Sequence, residues 1–79
     1  MITVRYFAGA REAAGLSTEQ LAGPTSVAAL RSALATAHPA LGAVLPKCAL
    51  LVAGARATSG STPIPDDVTV DVLPPFAGG

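Results

Sequence analysis

Two stretches at opposite ends of the chain, Ile2-Thr3-Val4-Arg5-Tyr6-Phe7 and Val68-Thr69-Val70-Asp71-Val72-Leu73, alternate apolar and polar residues. Strict alternation marks a strand that buries one face and wets the other. Ile2, Val4 and Tyr6 share one face of the first stretch, and Val68, Val70 and Val72 share one face of the last. With 79 residues there is room for one domain, near the size at which a single hydrophobic core is marginal. Hydrophobic residues are 51% of the chain and charged ones 13%, which excludes a disordered segment.

Between these strands the expected order is a short strand near Leu16–Leu21, a helix, a strand over Cys48–Val52, a weak edge strand or loop over Ala55–Ser61, and a turn over Pro63–Asp67. Ala8–Gly15 is read as a connection. The helix is the clearest of these elements. Thr25 or Ser26 can cap it, Val27, Leu30 and Leu34 recur at helical spacing with Ala37 extending the stripe, and Pro39 stops it near His38. Arg31 and Ser32 fall away from the stripe. Leu41–Leu45 reads as one loose helical turn, and Cys48–Val52 as a strand buried on both faces.

One helix amid a small mixed sheet is an α+β arrangement, and this order is that of the ubiquitin-like β-grasp, in which the first and last strands pair in parallel. That pairing puts Thr3, Arg5 and Phe7 beside Thr69, Asp71 and Leu73 on the uncovered face. Arg5 can then meet Asp71, and Phe7 and Leu73 form an apolar patch at the exit end, for docking a partner or for cover by a loop. The domain spans 1–73, and 74–79 is a tail.

Five basic and five acidic residues cancel, leaving no electrostatic footprint for nucleic acid or an anionic membrane. A single cysteine excludes a disulfide framework and a multi-cysteine metal site, so no metal is expected. No stretch reads as a signal peptide or a bilayer span, and a cytoplasmic protein is the expectation. Cys48 heads an apolar strand and reads as packing. His38, at a helix end, reads as a partner for the last carbonyls. Gly9 and Gly15 lack the Gly-Lys-Ser/Thr of a phosphate loop, so any ATP binds elsewhere.

The chemistry falls on the tail. Pro74 and Pro75 end the ladder and favour an extended course, so the six residues from Pro74 to Gly79 reach roughly 20 Å beyond the sheet. Phe76 and Ala77 lead to Gly78 and Gly79, which lack side chains and can thread a narrow channel. The Gly79 carboxylate at the tip is unhindered. Adenylation turns it into an acyl donor, and a sulfur nucleophile can then displace the nucleotide to leave a thiocarboxylate.

Leu73-Pro74-Pro75-Phe76-Ala77-Gly78-Gly79 and Phe7-Ala8-Gly9-Ala10-Arg11-Glu12-Ala13-Ala14-Gly15 resemble the two signatures of the MoaD family, and Thr25-Ser26-Val27-Ala28-Ala29-Leu30 resembles its helix start. MoaD is the small subunit of molybdopterin synthase. The resemblance implies a sulfur carrier that binds no cofactor itself. Its Gly79 would be adenylated with ATP by a MoeB-like enzyme, sulfurated by a sulfurtransferase, and inserted into a MoaE-like large subunit within a heterotetramer. Two sulfur transfers to cyclic pyranopterin monophosphate would build the molybdopterin dithiolene. Arg11 and Glu12 lie in a family segment, where partner contact and loop bracing are both open. That segment is expected to separate the chain from ThiS, the thiazole sulfur carrier. The alternatives are a carrier for thiazole or cysteine synthesis, or a ubiquitin-like modifier joined through Gly79 to lysines. The chain departs from the MoaD pattern at Ala53, where Asn is usual, near Asp66-Asp67, where Gly is common, and at Phe76, where valine is usual.

Overall fold

The computed structural model describes residues 1–75. Five strands form one mixed sheet in the order β2-β1-β5-β3-β4, with β1 at Ile2–Tyr6, β2 at Thr18–Leu21, β3 at Ala49–Val52, β4 at Ala55–Arg56 and β5 at Thr69–Leu73. The expected central pair is present. β1 and β5 run parallel, with Thr3 opposite Thr69, Val4 opposite Val70, Arg5 opposite Asp71 and Tyr6 opposite Val72. β2 flanks β1 and β3 flanks β5, both antiparallel.

Helix α2, Val27–Ala37, follows the sheet's second strand and buries Val27, Leu30 and Leu34. Its first turn has four amides without helical partners. Ser26 Oγ accepts from Ala29 N–H at 3.2 Å, and a loop supplies Thr62 O for Val27 N–H at 3.0 Å and Gly60 O for Ala28 N–H at 2.9 Å. A side chain on Gly60 would bring its Cβ to 3.2 Å from Ala28 Cβ, so glycine allows this close approach. The helix ends at His38, whose N–H donates to Leu34 O at 2.8 Å. The core joins these residues to Ile2, Val4, Tyr6, Leu50, Val70 and Val72 from the sheet and to Leu41, Leu45 and Ile64. Burying each such side chain contributes about 1.5–3 kcal/mol.

Four readings of the sequence need correction. Ala8–Gly15 is no mere connection: Ala8–Ala14 is helix α1, with Ala10 and Ala14 buried one turn apart and Gly15 in the left-handed region donating to Arg11 O at 2.9 Å. Alanine is the best helix former and a C-terminal glycine closes a helix well, which outweighs Gly9. β3 is buried on one face only, with Leu50 and Val52 inside and Ala49 and Leu51 half-buried. Cys48 is buried ahead of that strand, donating from Sγ to Val44 O at 3.3 Å, and its burial pushes the thiol pKa up. Ala37 is exposed, as the last residue of α2 before the chain leaves the helix at His38. Arg31 is half-buried, bonded to carbonyls of the segment beneath α2. That segment contains α3, Pro39–Gly42, and a 3-10 turn, Leu45–Lys47, in place of one loose turn.

Two of the departures noted in the sequence fall on left-handed backbone. Ala53 has φ +51° and Gly54 φ +84°, forming the two-residue turn of the β3–β4 hairpin. Such turns favour Asn-Gly because both residues need positive φ. Asp67, in the turn before β5, has φ +63° and donates its N–H to Met1 O at 2.9 Å. Aspartate tolerates this region better than alanine. Replacing Ala53 with Asn should therefore raise stability by about 0.5–1 kcal/mol, read as a higher denaturant midpoint at unchanged slope.

Candidate functional site

The parallel pairing decides where the tail begins. β5 occupies the sheet interior, and its last residue, Leu73, lies opposite Ala49 of β3. On its other side Phe7 N–H donates to Val72 O at 3.2 Å, so the ladder continued by one residue sets Phe7 beside Leu73. Pro74 and Pro75 then leave the sheet. Phe76, Ala77, Gly78 and Gly79, to which the threading and acyl-transfer roles were assigned, lie outside the described residues.

Residues directly opposite on paired strands share a face. One row crosses the uncovered face as Thr18, Arg5, Asp71, Leu51 and Arg56. Arg5 and Asp71 form the expected pair, with Nε–Oδ1 2.6 Å and Nη2–Oδ2 3.0 Å. The Asp71 side chain is only 14% exposed, and the Arg5 guanidinium carbon also lies 5.7 Å from the Phe7 ring centroid. Arg5 thus spans Asp71 and Phe7, an arrangement in which a cation also meets the face of an aromatic ring. Toward the tail the face turns apolar, with Phe7 at 37% exposure and Leu73 and Ala49 half-buried. Arg11 and Glu12 are exposed on α1, which starts just after Phe7 at this same end. Neither forms an ion pair with another described residue.

A polar cluster that the sequence reading missed lies on the opposite, helix-covered face. Glu19 Oε1 accepts from Tyr6 Oη and is 2.7 Å from His38 Nε2, while the Tyr6 and His38 rings pack edge to face at 6.0 Å. His38 therefore serves the edge strand through its side chain. The available signal was Glu19 within β2: Val4 opposes it, so its carboxylate must point toward the core. Burial first, and the Glu19 carboxylate second, push the Tyr6 pKa well above the ordinary tyrosine range. Among the described residues no group of three His, Cys, Asp or Glu side chains is placed to hold a metal, and no helix is long and apolar enough to cross a membrane.

A β-grasp sheet whose interior strand runs out into a Pro-Pro segment, beside an open apolar patch, defines a ubiquitin-like small protein. The chain belongs to the ThiS family, whose model matches residues 4–79. This match runs through Phe7–Gly15, so that segment does not set the chain outside the ThiS family. None of the curated proteins matches it. Among solved structures it is similar to SAMP1 from Haloferax volcanii, at 26% identity and TM-score 0.78 over 99% of this chain and 98% of that one. It is also similar to small archaeal modifier protein 1 from Methanosarcina acetivorans, at 26% identity and TM-score 0.83 over 99% and 95%. A provisionally assigned molybdopterin converting factor, subunit 1, from Pyrococcus furiosus shares the fold, at 24% identity and TM-score 0.85 over 95% and 97%. The protein is a small carrier or modifier of the ThiS/MoaD superfamily.

Two outcomes follow. Folding raises the Tyr6 pKa above its unfolded value, so this contribution to stability is complete below about pH 10 and is lost as pH rises beyond it. Tyrosinate absorbance should therefore appear only with alkaline unfolding, and Glu19→Leu should bring both to lower pH. Phe7→Asp should leave stability within about 0.5 kcal/mol, as an exposed position allows, yet weaken binding to a tail-activating partner measured by calorimetry.

Proposed function

We propose that this protein works through its own C-terminus, as a carrier whose Gly79 carboxylate is adenylated by a partner enzyme with ATP. A carboxylate oxygen attacks the α-phosphorus, pyrophosphate leaves, and the acyl-adenylate then yields its acyl group to a nucleophile as AMP departs. The observation carrying this reading is the tail root: β5 delivers Pro74 and Pro75 from the sheet interior to the rim of an apolar patch. A partner that grips Phe7 and Leu73 would thereby have Gly79 within its reach, in a cytoplasmic setting.

Of two fates for the acyl group, attachment to protein amines has the support of the 26% likeness, over nearly the whole chain, to two modifier proteins. An amine nitrogen attacks the acyl carbon, an amide forms, and its proton goes to solvent. The second fate is sulfuration, supported by membership in the ThiS family and by the Phe7–Gly15 and Leu73–Gly79 signatures. There a sulfide displaces AMP, and the thiocarboxylate would serve a MoaE-like subunit in molybdopterin synthesis or a thiazole or cysteine pathway. Both fates need Pro74, Pro75, Phe76, Ala77 and Gly78 as a slim arm.

Intact mass of protein purified from its own cells separates the fates. Covalent adducts on lysines of other proteins mark a modifier, and the mass gained when sulfur replaces oxygen marks a sulfur carrier. Deleting Gly79 should leave stability unchanged within about 0.5 kcal/mol and abolish both products. Retained activity would reject the mechanism.

A further inference from the structure

Lys47 is the single lysine of the chain. It is exposed at the end of the 3-10 turn, and no other described residue forms an ion pair with it. The turn is held on both sides. Arg31 reaches from α2 to donate from Nη1 to Leu45 O at 2.6 Å and from Nη2 to Cys48 O at 3.2 Å. Cys48 N–H donates back to Leu45 O at 2.9 Å, and Pro46 fixes its own φ. The lysine stem therefore starts from a firm pedestal. Beside it lies a mostly apolar groove of about 410 Å³, lined by Arg31, Ser32, Ala35, Gly42, Leu45 and Pro46. Ser32, Ala35 and Gly42 are small enough to admit a chain at close range.

We propose that Lys47 and this groove form an acceptor site for the C-terminal segment of a second copy of the chain. Phe76 and Ala77 of the incoming copy suit an apolar groove, Gly78 and Gly79 suit a narrow one, and the phosphate of the acyl-adenylate is complementary in charge to Arg31 on the groove wall. The uncharged Lys47 Nζ attacks the acyl carbon of the adenylated Gly79. The C–N bond forms, the bond from acyl carbon to AMP oxygen breaks, and one proton goes to solvent. The nucleoside triphosphate consumed is the one already needed for activation. The other amine, at Met1, is hydrogen-bonded to and ion-paired with Asp66, so its nitrogen is already engaged. One lysine per copy makes the product linear, with a single kind of linkage. The inference rests on the modifier reading above.

The test incubates the purified full-length chain with the adenylating enzyme of its own cells, magnesium-ATP and a lysine-rich acceptor protein, followed by intact mass and tryptic mapping. The expected product is a dimer of twice the chain mass less one water. Arg56 is the last trypsin site, so the uncleaved Lys47 peptide should carry residues 57–79 of the donor. Lys47→Arg should abolish the dimer with ATP–pyrophosphate exchange unchanged. Ser32→Glu, on the groove wall, should cut dimer formation about tenfold or more, again with exchange unchanged. A dimer joined at Met1, a single chain less one water, or attachment to the added acceptor alone would overturn the Lys47 site and leave the modifier reading standing. ATP–pyrophosphate exchange with no amide product on any protein would overturn both.

Discussion

The parallel pairing of β1 with β5 is the constraint on which the other features depend. It joins segments more than sixty positions apart, Thr3 with Thr69, and the loop this closes carries a large entropic cost before any contact offsets it. The return comes from both faces of the pair at once. Val4 and Val70 are fully buried against the helices, while Arg5 and Asp71 join on the other face. A slip of one residue would exchange these two sets, putting the charges into the core and the valines into water. The register that places Phe7 at the tail root is thus protected by the whole alternation of both strands.

That alternation explains why the fold was readable. Period-two patterning at both ends, one helix with a stop at Pro39, and the Gly-Gly tail were enough to expect a β-grasp with parallel terminal strands and an Arg5–Asp71 pair. What escaped notice depends on tertiary placement. Helix α1 is built from alanines and glycines too small to give a hydrophobic period, although Ala10, Ala14 and Gly15 stood at helical positions. Arg31 was seen only to fall away from the apolar stripe, because the carbonyls it satisfies belong to Leu45 and Cys48, more than a dozen residues away. The Tyr6–Glu19–His38 cluster draws on three elements, and no local pattern joins them. The departures at Ala53 and Asp67 were visible, but only the backbone shows that both occupy positive φ.

The site divides along the same line. The chemistry proposed for it was argued from Leu73–Gly79 alone, because acyl activation at Gly79 would need no constellation of side chains, only reach and an activating partner. The groove beside Lys47 was not legible, because it arises from α2 packing over a segment expected to be one loose turn. The charged row on the open face was half visible, since Arg5 and Asp71 follow from the β1–β5 register and Leu51 and Arg56 enter only through β3 and β4.

The interior position of β5 bears also on mechanics. Hydrogen bonds run crosswise from this strand to β1 on one side and β3 on the other. Tension applied along this strand is therefore borne in shear by two ladders together, where a strand at the sheet margin would have only one to bear it. The same placement makes the domain an anchor for any pull exerted through Pro74 and Pro75.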